Sequence, residues 1–212
     1  MNWPVVENKV PLQGLDFDDA VATLRSGGVL ILATDTLPGF HCLVDCQAAV
    51  ARIAQIKGRA SGKPLLVLAA DLEQAAQVHG SLQTKELDFA RLCWPGPFTL
   101  VVPANPAVPR EVSAGTGTIG IRVPAHDPLR QLLEAVGQPL VSTSVNKQGE
   151  PPAVSLSQAV AEFGGLVDGF WSGGDLSRGS DPAGQSSALV DLTQWPPLTL
   201  RQGPKPVPEV SL

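Results

Sequence analysis

The feature of this sequence that most constrains its fold is the alternation of helix-patterned segments with short apolar runs. Val29–Ala33 and Leu65–Ala70 are uninterrupted apolar runs of strand length, which is typical of strands buried on both faces. A segment with apolar residues at helical spacing precedes each run, namely Asp16–Ser26 and Gln47–Lys57. This alternation predicts an α/β fold with a twisted, mostly covered mixed sheet.

The remaining elements continue the same pattern. We predict further helices over Leu72–Val78, Thr84–Leu92, Pro128–Val136 and from Ser155 or Ser157 to Phe163. We predict further strands over Phe98–Val102, Thr118–Val123, Pro139–Thr143, Ser187–Asp191 and Leu198–Arg201, and another short strand that begins at Val167-Asp168. A chain of 212 residues is most simply one domain over 1–212, with a core over about 15–203 and a flexible tail over 204–212.

Composition and charge exclude several classes of protein. The formal net charge of −5 argues against broad binding to nucleic acid, so we expect any contact with RNA to be weak. No apolar run reaches the roughly 18 residues of a membrane-spanning helix, and Met1–Leu12 lacks the apolar core of a signal peptide. The odd number of cysteines, 3, indicates reduced thiols and a cytoplasmic location. His41, Cys42 and Cys46 lack a second ligand pair at useful spacing, so we expect buried cysteines and no metal site.

The loop between the second predicted helix and its strand concentrates positive charge. Lys57, Arg59 and Lys63 fall within seven residues, with two glycines between them. Two interpretations remain open, a solvated basic turn or an anion site for a polyphosphate or a carboxylate. The run is not a P-loop, because it has one residue too few between its glycines and leads from helix to strand. Pro64 also occupies the position of the metal-binding hydroxyl.

A second glycine motif suggests a different site but lacks the required context. Gly115–Gly120 reads G-x-G-x-x-G, and the Ile121–Pro124 segment that follows has the pattern of a strand. A dinucleotide site places the start of a helix after this motif. We therefore expect no dinucleotide site here.

Polar residues cluster at or near the ends of the predicted strands, so we expect them to line one cleft. The clusters are Thr34–Thr36, Lys57–Lys63, Thr118 with Arg122, Ser142–Asn146, and Arg201. Arg122 lies between apolar neighbours, so it needs either a carboxylate or a ligand as its partner. The five cations of these clusters suit a triphosphate, and no combination of serine, histidine and aspartate predicts a covalent mechanism. The residues alone therefore indicate an α/β domain that handles a nucleotide or a phosphate.

Six motifs, in the right order over about residues 15–203, resemble the YrdC-like family of threonylcarbamoyl-AMP synthases, which act in tRNA modification. The motifs are Lys57-Gly-Arg59 with Lys63-Pro64-Leu65, Trp94–Leu100, Ile119–Pro124, Thr143–Asn146, Ser187–Asp191, and Leu200–Gly203. The resemblance implies the YrdC-like fold with a concave basic cleft. It implies synthesis of threonylcarbamoyl-AMP and pyrophosphate from L-threonine, bicarbonate and ATP, with Mg²⁺ accompanying the ATP. A separate threonylcarbamoyl transferase complex is the implied recipient of the product, which modifies adenosine 37 of tRNA.

The resemblance also assigns roles to matching positions. It implies catalytic roles for Lys57 and Arg59. It implies ATP binding by Lys63, Thr118, Arg122, Ser144, Asn146 and Arg201. It implies threonine binding by Thr34, Thr36 and Ser142. Which of Thr118 and Arg122 contacts the nucleotide and which contacts threonine stays open.

Two departures from the family pattern bear on the choice of amino acid. Pro38 replaces an aromatic residue that we expect in the wall of the amino-acid pocket, and Ala188 replaces a threonine. Two alternatives to the synthase follow. One is a related nucleotide-dependent enzyme that uses another amino acid, and the other is an RNA-binding module that uses the same cleft without chemistry.

Overall fold

A computed structural model describes residues 14–58, 64–173 and 185–210. The Arg59 and Lys63 predictions therefore lie outside the described residues. The helices are α1 (Phe17–Arg25), α2 (Gln47–Ile56), α3 (Leu72–Ala75), α4 (Thr84–Cys93), α5 (Arg110–Ser113), α6 (Asp127–Val136) and α7 (Leu156–Phe163). The strands are β1 (Leu30–Leu32), β2 (Gly39–Leu43), β3 (Leu66–Leu68), β4 (Phe98–Pro103), β5 (Thr118–Arg122), β6 (Leu140–Ser144), β7 (Gly169–Trp171), β8 (Ala188–Asp191) and β9 (Leu198–Arg201).

Helix ends follow the local chemistry of the chain. The Asp16 carboxylate accepts a hydrogen bond from the Asp19 amide at the start of α1, and the Ser155 hydroxyl accepts one from the Gln158 amide at the start of α7. Each side chain satisfies a backbone donor that the helix itself leaves unpaired. Helix α6 ends at Gly137, whose φ of 81° is the left-handed conformation that glycine adopts without a steric cost.

The described strands form one mixed sheet in the order β7-β1-β2-β6-β3-β5-β4-β8-β9. Three adjacent pairs are parallel (β1 with β7, β3 with β5, β4 with β8), and the other pairs are antiparallel. This arrangement confirms the predicted α/β class and the mixed sheet. Among the described residues, no helix is long and apolar enough to cross a membrane.

The two faces of the sheet are covered to different extents. On one face, residues of α2, α4 and α7 pack on strand residues such as Ile31, Phe40 and Ile121 in a continuous core. On the other face, α1 and α6 form a smaller core against strand residues that include Leu30 and Leu140. The second core involves residues from β1, β2, β3, β6 and β7, and none from β4, β8 or β9. Among the described residues, part of this second face has no helix packed on it, and the candidate site lies there.

Three elements differ from the sequence-based prediction, and one of them is the short helix α5, which was not predicted. Strand β2 was not predicted, because Gly39–Leu43 follows a polar turn and includes His41, so it has no clear apolar pattern. Strand β7 begins at Gly169, after the predicted Val167–Asp168 segment. Asp168 instead accepts hydrogen bonds from the Val29 amide and the Arg52 guanidinium, so its side chain fixes the approach to the strand.

The cysteines behave largely as small apolar residues, as predicted. Cys42 and Cys93 are buried in the larger core, and burial raises the pKa of each thiol to about 12. Cys46 is half-buried and packs against the same core. Trp94 is buried as well, and its indole N–H donates to the Phe98 carbonyl at 2.8 Å.

Candidate functional site

A cavity of about 210 Å³ lies on the open part of the second sheet face. The residues that line it come from the turn before β2, the starts of β2 and β3, the ends of β5 and β6, the segment before β8, and β9. They are Thr36, Leu37, Gly39, Pro64, Leu65, Leu66, Arg122, Ser142, Thr143, Ser144, Ser186, Ser187 and Arg201. Five of the predicted site residues are among them, namely Thr36, Arg122, Ser142, Ser144 and Arg201.

Strand register explains why these residues meet. Leu30 pairs with His41, His41 with Ser142, Ser142 with Leu66, and Leu66 with Gly120. Residues that pair directly across a sheet share one face, so these five positions form a single row across five strands. The row begins at Leu30, which lies in the core under α1 and α6, and reaches the cavity at Ser142 and Leu66. His41 therefore lies where the helix-covered part of the face gives way to the cavity.

Lys57 lies at the end of α2 and joins that helix to the end of β6. Its Nζ donates to the Ser144 carbonyl at 2.6 Å, the Asn146 carbonyl at 3.1 Å and Asn146 Oδ1 at 2.7 Å. The residue is only 5% exposed and does not line the described cavity. An ammonium group has three N–H donors, and these three contacts all go to the Ser144–Asn146 turn. Lys57 therefore positions the Ser144–Asn146 turn in this structure.

The Asn146 amide completes that network. Its Oδ1 accepts from Ser144 Oγ at 2.7 Å as well as from Lys57, and its Nδ2 donates to the Lys147 and Glu150 carbonyls. Asn146 is therefore also held by the protein, and it does not line the described cavity. Because the Ser144 hydroxyl donates to Asn146, its oxygen keeps acceptor capacity at the cavity wall. The lysine, the serine and the asparagine thus act together, and Ser144 is the member of the three that reaches the cavity.

Arg122 pairs with a carboxylate, that of Asp35. This is one of the two partners predicted for it, a carboxylate or a ligand. Its Nη1 donates to Asp35 Oδ1, and Asp35 Oδ2 accepts from the Ala125 amide at 2.9 Å. Arg122 is 2% exposed, and burial lowers its pKa while the Asp35 carboxylate opposes that effect. Its Nε has no hydrogen-bond partner among the described residues. The buried ion pair therefore ties the β1–β2 turn to the end of β5 and places a cation at the cavity wall.

The turn before β2 carries the two threonines that were predicted to bind threonine. Thr34 Oγ1 donates to the Leu37 carbonyl at 2.9 Å and accepts from the Thr36 amide at 3.1 Å. Thr34 thus stabilises the turn, whereas Thr36 lines the cavity and Thr34 does not. Pro38 does not line the cavity either, and Leu37 does. The neighbours of Pro38, Leu37 and Gly39, form this part of the cavity wall, and a role of Pro38 in an amino-acid pocket stays a prediction.

Arg201 lies on the edge strand β9 and closes another side of the cavity. Its Nε and Nη2 both donate to the Ser187 carbonyl, at 3.1 and 2.9 Å. Ser187 is buried, and its hydroxyl pairs with Thr99 Oγ1 at 2.7 Å. No described carboxylate lies within ion-pair distance of Arg201. Burial lowers the pKa of this guanidinium, so an anion bound beside it would stabilise its charge.

The remaining predictions and omissions are clear from the same geometry. Thr118 does not line the described cavity, and its hydroxyl pairs with Thr116 Oγ1 at 3.0 Å.

The sequence-based analysis missed Ser186 as a cavity residue, and it considered His41 only as a metal ligand. His41 is completely buried, and its Nε2 lies 3.0 Å from Ser142 Oγ. His41 lies on strand β2, two residues after Gly39. Its role could not be recognised from the sequence, because that strand was not predicted.

We expect His41 to make the protein sensitive to acid. Burial is the main cause that lowers the pKa of His41 from 6.5 to about 3, and the charge of Arg122 adds to it. The unfolded chain therefore binds a proton below pH 6.5 that the native state does not bind until about pH 3. The free energy of unfolding should fall by about 1.4 kcal/mol per pH unit as the pH drops through this window. Above the window, the contribution of His41 to the free energy of unfolding should not change with pH.

Urea titrations of the native protein and of the His41→Gln variant at several pH values between 7 and 4.5 measure this contribution. The other titrating groups are common to both proteins, so the difference between the two curves isolates His41. The difference should change by about 1.4 kcal/mol per unit below pH 6. A difference that is independent of pH would show that His41 is protonated equally in both states.

Comparisons with known proteins identify the family of this chain. The Sua5/YciO/YrdC family model, described as "Telomere recombination", matches residues 22–203. A threonylcarbamoyl-AMP synthase of Pyrococcus abyssi is 32% identical over 191 residues, which cover 90% of this chain and 55% of that protein. The same-named protein of Thiobacillus denitrificans is 38% identical over 146 residues, which cover 69% of this chain and 78% of that protein.

A solved structure shows the same architecture. The crystal structure of P. abyssi Sua5 complexed with L-threonine matches with a TM-score of 0.79 at 32% identity, covering 88% of this chain and 54% of that one. The chain thus spans about half the length of this archaeal relative. The matched region includes every residue that lines the cavity. By the extent of the family match and the identity to curated members, the chain belongs to the Sua5/YciO/YrdC family.

Proposed function

We propose that the protein is an L-threonylcarbamoyladenylate synthase, a nucleotidyltransferase that makes threonylcarbamoyl-AMP and pyrophosphate from L-threonine, bicarbonate and ATP. The observation that carries this proposal is the composition of the cavity wall. Hydroxyls of Thr36, Ser142 and Ser144 line the same cavity as the cation of Arg201, which has no described carboxylate partner. Hydroxyls and guanidinium groups suit the carboxylate of an amino acid and the phosphates of a nucleotide. The names of the two curated relatives support the same activity.

The proposed reaction takes place between its substrates and needs no nucleophile from the protein. The amine of threonine adds to carbon dioxide, formed from bicarbonate with loss of water, and gives a carbamate. A carbamate oxygen then bonds to the α-phosphorus of ATP, the bond from that phosphorus to the bridging oxygen breaks, and pyrophosphate leaves. The protein supplies positioning and charge stabilisation, and no side chain forms a covalent bond.

Mg²⁺ enters this scheme as part of the nucleotide substrate. Among the described residues, no group of three or more histidine, cysteine, aspartate or glutamate side chains lies close enough to hold a metal ion. The Asp35 carboxylate, which pairs with the cavity residue Arg122, also accepts from the Ala125 amide. Phosphate oxygens of ATP are suitable ligands for Mg²⁺, which commonly binds through them and retains several waters.

The residues divide into two proposed groups. Thr36 and Ser142 contact threonine, and Arg201 contacts the phosphates. Ser144 contacts the phosphates once its O–H turns from Asn146 Oδ1 to a phosphate oxygen. Arg59, together with Lys63, is assigned to the phosphates on sequence grounds alone. Three residues outside the cavity wall position these side chains through the hydrogen bonds described above, namely Lys57, Asn146 and Thr34. The product passes to a threonylcarbamoyl transferase complex in the cytoplasm for modification of tRNA.

A pyrophosphate-release assay tests the proposed function. Release should require ATP and bicarbonate and should be fastest with L-threonine, with L-serine and a reaction without amino acid as comparisons. Release that is equal with L-serine would favour the related enzyme of altered specificity. Release that does not depend on any amino acid would contradict the proposal.

Arg201→Ala should weaken ATP binding about tenfold or more. Removal of one charge-assisted hydrogen bond to a phosphate costs about 1.5–3 kcal/mol, and 1.4 kcal/mol corresponds to a tenfold change in affinity. Isothermal titration calorimetry with MgATP measures the effect. Arg91→Ala is the matched control, because Arg91 makes an exposed ion pair with Asp88 and does not line the cavity. Equal affinities of the two variants would remove Arg201 from the nucleotide site.

A further inference from the structure

His41 and Ser142 form a buried pair at the floor of the cavity. They are direct partners in the β2–β6 register, and His41 Nε2 lies 3.0 Å from Ser142 Oγ. Ser142 lines the cavity, whereas His41 is 0% exposed and does not line it. The histidine can therefore reach a ligand only through the serine hydroxyl.

The surrounding backbone makes room for the imidazole. A Cβ atom at Gly39 would lie 2.8 Å from His41 Cε1, closer than real Cβ contacts approach. Leu30 pairs with His41 from the other neighbouring strand and is fully buried. The ring is thus confined between Gly39 on its own strand and apolar cover on β1. A confined ring holds its hydrogen-bond partner in one direction.

The two ring nitrogens are in different situations. Nε2 has Ser142 as a partner, whereas Nδ1 has no hydrogen-bond partner among the described residues. A hydrogen bond of the ring to the Gly39 backbone raises the pKa of His41, but burial outweighs it and keeps the imidazole neutral. A neutral ring carries one N–H, and a buried N–H without an acceptor is costlier than a bare ring nitrogen. The proton therefore belongs on Nε2, where it donates to Ser142 Oγ.

We propose that His41 is a positioning residue that fixes Ser142 as a hydrogen-bond donor to an anionic oxygen of the bound ligand. When Nε2–H occupies an acceptor site on Ser142 Oγ, the serine O–H is left to point elsewhere, and the cavity is the open direction. A hydroxyl that donates favours a carboxylate or phosphate oxygen over an ammonium group. On the proposed function, on which this assignment of the ligand rests, that oxygen belongs to the carboxylate of threonine.

The tautomer can be tested without any substrate. Nitrogen-15 NMR of histidine-labelled native protein distinguishes a protonated Nε2 from a protonated Nδ1 by chemical shift. We expect His41 in the Nε2–H form at neutral pH. An Nδ1–H form would mean that Ser142 donates to the ring, which overturns the proposal whatever the enzyme catalyses.

The functional consequence requires a double-mutant cycle. His41→Leu fills the space without a donor, His41→Gln retains a donor near the position of Nε2, and Ser142→Ala removes the hydroxyl. By calorimetry with L-threonine, His41→Leu should weaken binding about tenfold, and His41→Gln should restore most of that loss. His41→Leu combined with Ser142→Ala should be no weaker than Ser142→Ala alone, because the histidine acts through the serine.

Two outcomes contradict the proposal, and thermal melts confirm that each variant is folded. Threonine affinity that His41→Leu leaves unchanged shows that the serine does not need the histidine. Losses that multiply in the double variant show that His41 acts independently of Ser142. If the native protein binds no threonine at all, the proposed function fails, and the tautomer measurement still decides the role of His41.

Discussion

Asp35→Ala should lower the free energy of unfolding by about 3–5 kcal/mol, because it leaves the buried Arg122 guanidinium without its counter-charge. Asp35 and Arg122 have side chains that are 10% and 2% exposed, so the unpaired guanidinium would be largely shielded from bulk water. The substitution also removes the acceptor of the Ala125 amide. Urea denaturation at pH 7 measures the change.

The chain offers a matched control for this loss. Asp88 forms an ion pair with Arg91, and these side chains are 62% and 58% exposed. Asp88→Ala should cost less than about 1 kcal/mol, as exposed pairs contribute little. Replacing both partners, Asp35→Ala with Arg122→Met, should destabilise less than Asp35→Ala alone, because no unpaired charge remains buried. Similar losses for Asp35→Ala and Asp88→Ala would show that the buried pair is not what ties the turn to the sheet.

Lys57→Met should reduce kcat/KM by about 100-fold or more. Its ammonium group holds the Ser144 and Asn146 carbonyls and the Asn146 side chain, and methionine retains the apolar stem without any donor. The loss of these contacts allows the Ser144–Asn146 turn to shift, and displacements of about 1 Å in a reactive geometry cost about 100-fold in rate. Lys147→Met is the matched control, because Lys147 is exposed on the same loop.

Hydrogen exchange distinguishes a positioning role of Lys57 from direct contact with substrate. The Val145 amide donates to the Pro38 carbonyl, and the Gln148 amide donates to the Lys57 carbonyl. Both amides should exchange faster in ligand-free Lys57→Met than in the native protein, because their loop has lost the hydrogen bonds from the Lys57 side chain. A variant that loses activity with unchanged exchange at these amides would place Lys57 in direct contact with the ligand instead.

Much of the fold could be predicted because its elements carry strong local signals. Gln47–Lys57 and Thr84–Leu92 have clear helical spacing, and they differ from α2 and α4 by one residue at the C-terminal end. Leu65–Ala70 is a short apolar run, and β3 occupies its centre. These segments are stabilised by burial of their apolar residues in the core, and the spacing of those residues along the sequence indicates that burial.

The candidate site was predictable to a lesser degree, for reasons of geometry. Residue types and motifs identified Ser142, Ser144 and Arg201, and all three line the cavity. The sequence does not show which side chains the protein itself engages. Lys57 bonds to Ser144 and Asn146, which lie 87 and 89 positions away, and its role toward substrate stays a prediction. The Thr34 bond to the Leu37 carbonyl is local, and the contact of Thr34 with substrate stays a prediction as well.

His41 is a residue near the cavity that could not be predicted from the sequence. Its role depends on the pairing of β2 with β6, and β2 has no recognisable strand pattern because it contains both a glycine and a histidine. A lone histidine beside cysteines invites a metal interpretation, and the alternative of a buried neutral ring is visible only once its neighbours are known. The unpredicted strand therefore concealed a residue that contacts the cavity floor.

The most direct test of the central claim is the formation of the adenylate itself. The purified protein is incubated with MgATP, L-threonine and carbon-13 bicarbonate, and the products are identified by mass spectrometry, with Ser142→Ala as a comparison. The account predicts threonylcarbamoyl-AMP carrying one carbon-13 atom, formed together with pyrophosphate and reduced in the variant. Pyrophosphate without carbon-13 in an adenylate, or hydrolysis of ATP to ADP, would contradict it.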